Sequence, residues 1–190
     1  MESDILYRVW REDLPRLEEL LTKCFEKDPL YCKLIPDEET RKRLLPELFQ
    51  CDLTEFYETC EIFSDSPDMT EAWAQIQTDQ YLIREDLSLK TLWNFVLGRD
   101  YLNSRWTSQL HQTRRLHIIY LAVRPALQHH GLTHLLMSQV IAYAEAHGMM
   151  ISLETHNPHN VPIYEHYGFK LFGVMEKHFG LKQYCMVREI

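Results

Sequence analysis

No apolar run in this 190-residue sequence approaches the ~20 residues that a membrane-spanning helix requires, so no membrane association is expected. The start, Met1-Glu-Ser-Asp4, has neither the basic nor the apolar region of a signal peptide. The five cysteines, Cys24, Cys32, Cys51, Cys60 and Cys185, are odd in number and scattered, and no C-x-x-C is present. Reduced thiols and a cytoplasmic location are therefore expected rather than a disulfide framework. There is no H-E-x-x-H, and no Cys/His spacing completes a tetrahedral set. His130 and His134 are four apart, and His156-x-x-His159 is a loose pair, but together they do not make a site, so no metal is expected. No repeat, low-complexity tract or flexible linker divides the chain, which predicts one domain over residues 1–190.

Charge is present but unevenly spread. The net charge is −8, and residues 1–110 carry 13 Lys/Arg against 23 Asp/Glu. Residues 111–190 carry 7 against 5 and hold all ten histidines. An acidic chain is a poor match for nucleic acid, whose binding rests on neutralising phosphates, so no nucleic-acid partner is expected. The second half is the one that tolerates an anionic ligand. The acidic first half is either a solvated surface or an attractor of cations.

Along the chain, Ile5–Trp10 predicts a first strand. Asp13 then caps a helix that tolerates Pro15 in its first turn and buries Leu17, Leu20, Leu21 and Cys24. Asp28–Tyr31 predicts a turn, and Asp37 opens a second helix with Leu44, Leu45, Leu48 and Phe49 on one face. Glu61–Phe63 and Ala72–Ile76 predict paired strands around a turn at Asp65–Asp68. Residues 80–115 have a mostly helical pattern without clear boundaries. Trp93, Tyr101 and Trp106 lie in that stretch, and either line a pocket or fill a core.

The most specific segment runs from Leu116 to Phe169. An apolar strand, Leu116–Val123, leads through Arg124-Pro125 to a turn at Gln128–Thr133 and a long helix. The spacing of Leu132, Leu136, Val140 and Tyr143 predicts one buried helix face, with Gly148 as the stop. A turn between a strand and a helix N-terminus exposes amides without intrahelical partners, at the positive end of the helix dipole. That position suits a phosphate or pyrophosphate, and Gly131 lets the backbone approach it. A second strand, Ile151–Thr155, is followed by a short helix from Asn160 to Tyr167, tolerating Pro162 and ending at Gly168. Asn160 and Tyr164 project from one face of it. They are either a polar binding pair with a proton to give, or a cap and a core aromatic. Lys170–Met175 and Gln183–Val187 predict two last strands with a loop at Gly180 between them.

Two motifs in this segment resemble the acetyl-CoA core of the GCN5-related N-acetyltransferases (GNAT). The family's V-x-P and Q/R-x-x-G-x-G/A read here as Val123-Arg-Pro125 and Gln128-x-x-Gly131-x-Thr133. Its later N-x-x-A-x-x-L-Y-x-x-x-G-F reads Asn157-x-x-Asn160-x-x-Ile163-Tyr164-x-x-x-Gly168-Phe169. Leu153-Glu-Thr155, Asn160–Glu165, Asp28–Leu30 and Pro36–Glu39 look most like a bacterial subgroup that acetylates small amines. The resemblance is tight over 116–176 and loose over 5–76, and it does not extend to 80–115. It departs from the motif at Thr133, where a β-branched side chain replaces a glycine or alanine and offers a hydroxyl in its place.

The resemblance implies a mixed, mostly antiparallel α/β (α+β) sheet of about seven strands, flanked by helices, with strands four and five parallel and splayed. It implies an acceptor-side half over about 1–115 and an acetyl-CoA-binding core over about 116–176. It further implies direct transfer of acetyl from acetyl-CoA to a primary amine of a small molecule. Leu121, Ala122 and Val123, beside a strand distortion, would hold the pantetheine arm. Gln128, His129, His130, Gly131, Leu132 and Thr133 would take the pyrophosphate, with Asn160 and Tyr164 completing the cofactor site. Tyr164 would be the general acid, since a phenol is protonated at neutral pH. Glu154 is the first candidate for the general base and His117 the second; both also have a structural reading, as a bonded carboxylate and a sheet histidine. A CoA-binding domain without turnover and a protein N-acetyltransferase are the alternatives, and either a monomer or a homodimer is compatible with the sequence.

Overall fold

The computed structural model describes residues 7–64, 71–76, 104–111, 114–128, 131–176 and 180–190. Strand β1 (Tyr7–Arg8) is followed by helices α1 (Leu14–Phe25), α2 (Pro29–Leu34) and α3 (Glu38–Thr59). Strands β2 (Cys60–Ser64), β3 (Glu71–Ile76) and β4 (Arg115–Val123) come next. Helix α4 (Leu132–His147), β5 (Met150–Thr155), α5 (Val161–His166), β6 (Lys170–Glu176) and β7 (Lys182–Arg188) complete the order. The seven strands form one sheet in the order β1-β2-β3-β4-β5-β7-β6. Every neighbouring pair is antiparallel except β4 and β5. This is the expected mixed sheet, with its parallel pair at the fourth and fifth strands. Among the described residues, no helix is long and apolar enough to cross a membrane.

Local chemistry explains most of the elements, and corrects several expectations. Asp37 caps α3 by accepting the Thr40 amide at 2.8 Å, and Leu44, Leu45, Leu48 and Phe49 are buried as their spacing requires. The helix then continues through Pro46 and buries Leu53 and Phe56 as well. Asp28–Tyr31 is not a simple turn. The Asp28 carboxylate accepts the Leu30 amide at 2.9 Å, and Pro29 supplies a preset φ, so the segment starts a six-residue helix. Asp13 precedes α1 but makes no side-chain cap to it. Its Oδ2 accepts from the Tyr7 hydroxyl and the Trp10 amide, which ties β1 to the preceding 3-10 turn. The first strand is two residues long, so Val9 and Trp10 of its predicted span fall outside it; Ile5, Leu6, the predicted turn at Asp65–Asp68 and residues 77–103 with Trp93 and Tyr101 lie outside the described residues. Within the stretch of helical pattern, Ser104–Gln109 forms a 3-10 helix and Arg115 already begins β4.

The sheet is covered on both faces. Leu17, Leu20, Leu21, Leu34, Leu45 and Phe49 from α1–α3 pack against one face. Leu136, Met137, Val140 and Ala144 of α4 pack against the other, on Leu116, Ile118, Ile151 and Leu153. The buried stripe of α4 therefore passes through Met137 and Ala144 instead of Tyr143, whose ring is exposed and stacks on His147 with centroids 4.1 Å apart. Each fully buried Leu or Val contributes about 1.5–3 kcal/mol of transfer free energy, so these two layers dominate the stability. Gly148 ends α4 at φ +61 and Gly168 ends the turn after α5 at φ +83, in the left-handed region that glycine enters without a Cβ clash.

Candidate active site

The parallel pair is short. Arg115–Ile118 of β4 are in register with Met150–Leu153 of β5, and the register stops there. Beyond that point β4 stays paired with β3 as far as Val123, while β5 stays paired with β7 through Thr155. The two strands therefore lose each other inside a continuous sheet, and Glu154 is the first β5 residue past the last shared pair. At the same level β4 carries an extra residue. Leu121 faces Trp73 and Ile118 faces Gln75, so Ile119 and Tyr120 together oppose one residue of β3. Such a bulge rotates the strand's faces. His117 comes before it, and Leu121, Ala122 and Val123 come after it.

Three side chains meet at the divergence. The Trp106 indole Nε1–H donates to Glu154 Oε2 at 3.0 Å, and His117 Nε2 lies 3.1 Å from the same oxygen. His117 Nδ1 is 2.8 Å from the Ser152 hydroxyl, which is fully buried. The two base candidates thus lie within hydrogen-bonding distance of each other. Trp106, one of three aromatics whose role the sequence left open, is 3% exposed and forms part of this network. It is also flanked by Phe172, with ring centroids 5.6 Å apart. Ser152 and Trp106 carry no sequence signal for this role. Period-two alternation does place Ser152, Glu154 and the register partner His117 on one face of the sheet.

Tyr164 stands on α5, immediately beyond β5. Its ring packs against Phe169 and the α4 side of the core. Burial pushes its phenol up to about 12, and the negative charge of Asp28 adds to the effect. The junction of α1 and α2 thus lies within electrostatic range of the phenol, an influence that the sequence did not single out. Burial likewise raises the Asp28 carboxyl to about 6, against the opposing pull of the Leu30 and Tyr31 amides. Asn160 does not cap α5. Its Nδ2 donates to Thr155 Oγ1 at 3.2 Å, and the cap of the preceding turn is Asn157, which accepts the His159 amide at 3.1 Å.

The turn between β4 and α4 has Gly131 at φ +80 as the helix N-cap. No side chain caps the first amides of the helix, and a Cβ built at Gly131 meets nothing within 4 Å. Open space in front of uncapped amides fits an anionic ligand such as a pyrophosphate. Leu132 and Thr133 are half-buried in the first turn of α4. Gln128 turns back onto the strand. Its Nε2–H donates to the Val123 carbonyl at 3.1 Å, an oxygen that also accepts the Cys24 thiol at 3.2 Å. His129 and His130 lie outside the described residues. No group of three or more His, Cys, Asp or Glu side chains among the described residues is placed to hold a metal.

Known proteins share this fold. The sequence pattern of the Acetyltransferase (GNAT) family matches residues 45–169. Curated proteins contain no match to this chain. Among solved structures, the histone acetyltransferase HPA2 and related acetyltransferase from Corynebacterium glutamicum superposes with a TM-score of 0.69 at 16% identity, over 97% of this chain and 94% of that one. PaiA N-acetyltransferase from Thermoplasma acidophilum, in complex with coenzyme A, gives 0.59 at 12% identity over 98% of both chains. Agmatine N-acetyltransferase gives 0.61 at 15% identity, over 98% of this chain and 99% of that one. With the family pattern spanning most of the chain, and the split parallel pair and uncapped helix turn in place, this protein belongs to the GNAT family of acetyltransferases.

Proposed function

We propose that the chain is a single-domain N-acetyltransferase that moves acetyl from acetyl-CoA to the primary amine of a small molecule. The observation that carries this reading is the divergence of β4 and β5, past which β5 carries a hydrogen-bonded carboxylate, Glu154, and leads into the tyrosine-bearing helix. Backbone groups of Leu121–Val123, beyond the bulge, hold the pantetheine arm and polarise the thioester carbonyl. The amides at Gly131–Thr133 take the pyrophosphate at the positive end of α4. The solved complex of a structural neighbour with coenzyme A supports acyl-CoA as the co-substrate.

An amine acceptor is largely an ammonium at neutral pH, and it must lose a proton before it can attack. Glu154 accepts that proton. The amine nitrogen then bonds to the carbonyl carbon, the C–S bond breaks, Tyr164 donates its proton to the departing thiolate, and the second proton shed by the nitrogen as the amide forms restores the phenol. The Tyr164 phenol makes no hydrogen bond among the described residues, so its proton is uncommitted. The raised pKa, about 12, keeps it protonated at every pH at which the enzyme would work. Asp28, ionised above about pH 6 and within electrostatic range of that phenol, draws a cationic acceptor towards the site. An amine acceptor agrees with the names of two neighbours, the agmatine and the mosquito arylalkylamine N-acetyltransferase-like proteins.

The test is amine-dependent release of free CoA thiol from acetyl-CoA, with putrescine, 2-phenylethylamine, tryptamine, ethanolamine and a lysine peptide as acceptors. Saturable release with a small amine supports the reading. Release only with the peptide would make the chain a protein acetyltransferase, and saturable CoA binding without release on any amine would make it a binding module.

A further inference from the structure

Glu154 and His117 are both base candidates by residue type, yet their neighbours give them different roles. Glu154 Oε2 receives the Trp106 indole N–H, a group that can only donate. The same oxygen lies 3.1 Å from His117 Nε2. A carboxylate oxygen facing a ring nitrogen at that distance requires a hydrogen on the nitrogen, so Nε2 is the protonated one. In a neutral imidazole Nδ1 is then an acceptor, and the Ser152 hydroxyl at 2.8 Å is the donor that meets it. Ser152 is wholly buried on β5, two residues before Glu154, and His117 is its register partner across the parallel pair. The chain of bonds thus runs Ser152 to His117 to Glu154, with Trp106 closing on Glu154 from the 3-10 turn.

We propose that Ser152, His117 and Trp106 are positioning residues that act through Glu154, with Ser152 fixing the His117 tautomer whose Nε2–H holds the carboxylate. In this arrangement His117 takes no proton from the acceptor. With Trp106, it supplies a donor that fixes the direction of the carboxylate. Glu154 is also paired across the sheet on its other side. Cys185 is its register partner on β7, and burial, followed by the Glu154 charge, pushes that thiol up to about 12. The parallel register makes the chain of bonds possible, because residues at equal height on β4 and β5 project to the same face. The network ends where the register ends. The last ordered part of the sheet therefore orients the first residue of the opening.

The proposal rests on Glu154 being the base, and the experiments separate the two claims. His117→Gln places an amide N–H near the Nε2 position but cannot take up a proton, whereas His117→Ala removes the donor. With the fastest small amine of the panel, His117→Gln is expected to be about threefold slower than wild type and His117→Ala on the order of thirtyfold slower. Trp106→Phe is expected to lose on the order of tenfold by the same reasoning. All three losses appear in kcat, with the KM for acetyl-CoA unchanged. His117→Gln falling as far as His117→Ala, with the alkaline-rising limb of the pH profile removed, would overturn the positioning role and make His117 the base. A Glu154→Gln variant with wild-type turnover would sink the underlying assignment instead.

A second measurement needs no acceptor. Long-range 1H–15N correlation of the His117 ring at pH 8, assigned by its absence in His117→Gln, reads the tautomer of the wild-type protein directly. Hydrogen on Nε2 with a bare Nδ1 is expected, shifting to a mixture in Ser152→Ala. A proton on Nδ1 in the wild-type protein would overturn the proposal, whatever the kinetics show.

Discussion

Tyr164 and Tyr120 illustrate how much a phenol's surroundings decide its use. Tyr120, on the β4 bulge, donates to Asp52 Oδ2 at 2.7 Å and lies 3.2 Å from the Tyr31 hydroxyl. Burial and the Asp52 charge push it well above the ordinary tyrosine range, but its proton is already committed. Tyr164 is also pushed up by burial, and among the described residues its phenol has no hydrogen-bond partner, which suits it to the proposed role of proton donor. Asp28 offers a separate test at this scale. Asp28→Asn keeps a good N-cap for α2 and removes the charge. Above pH 7 the KM for a cationic amine is expected to rise about tenfold, roughly 1.4 kcal/mol of lost attraction. Because the raised carboxyl is about half protonated near pH 6, the difference should shrink as pH falls through 6 and vanish near pH 5. Steady-state kinetics across that range check it. A difference that is constant with pH would assign the effect to packing.

Among the elements, the helix turn at Gly131 makes the sharpest prediction. Gly131→Asp adds both left-handed strain and a negative charge where the pyrophosphate should sit, while Gly131→Asn adds the strain alone, since Asn tolerates that region. Acetyl-CoA affinity measured by calorimetry should fall on the order of thirtyfold or more for Asp and only a few-fold for Asn. Equal losses would show that the turn does not meet an anion. The turn was legible in the sequence because glycine and the flanking strand and helix patterns are all local. The bulge at Ile119–Tyr120 was not located there, because Leu116–Val123 is apolar at nearly every position and shows no alternation whose phase could slip. Helix α2 escaped notice for a similar reason. Six residues are too few for a 3.6-residue period to repeat, and Asp28-Pro29 reads equally as a turn. In α4 the stripe drawn through Tyr143 missed Met137 and Ala144, since a helix rich in apolar residues offers more than one plausible face.

Across the molecule, the proposed donor side of the reaction rests on local motifs, and the contacts on the other side of the sheet do not. Gln128–Thr133 and Asn157–Phe169 are local motifs, whereas the Trp106–Glu154 bond joins residues 48 positions apart and the Asp52–Tyr120 bond joins residues 68 apart. No spacing rule reaches that far. The buried Asp52 has a measurable consequence for the whole chain. Burial raises its carboxyl to about 6, above its unfolded value, so between roughly pH 4 and pH 6 the folded state holds a proton that the unfolded state has lost. Stability therefore falls as pH rises through that window, by up to about 3 kcal/mol from this residue once it is ionised. Asp52→Asn should raise the melting temperature at pH 7.5 and make little difference at pH 4. An equal change at both would remove this account of Asp52.

The central claim is that Tyr164 gives its proton to the thiolate leaving acetyl-CoA. The most direct measurement is the Tyr164→Phe enzyme, with kcat from amine-dependent thiol release and the acetyl-CoA Kd from calorimetry on the same preparation. Loss of kcat on the order of a hundredfold or more, with Kd within about twofold of wild type, is the predicted result. Full turnover in the variant would contradict it.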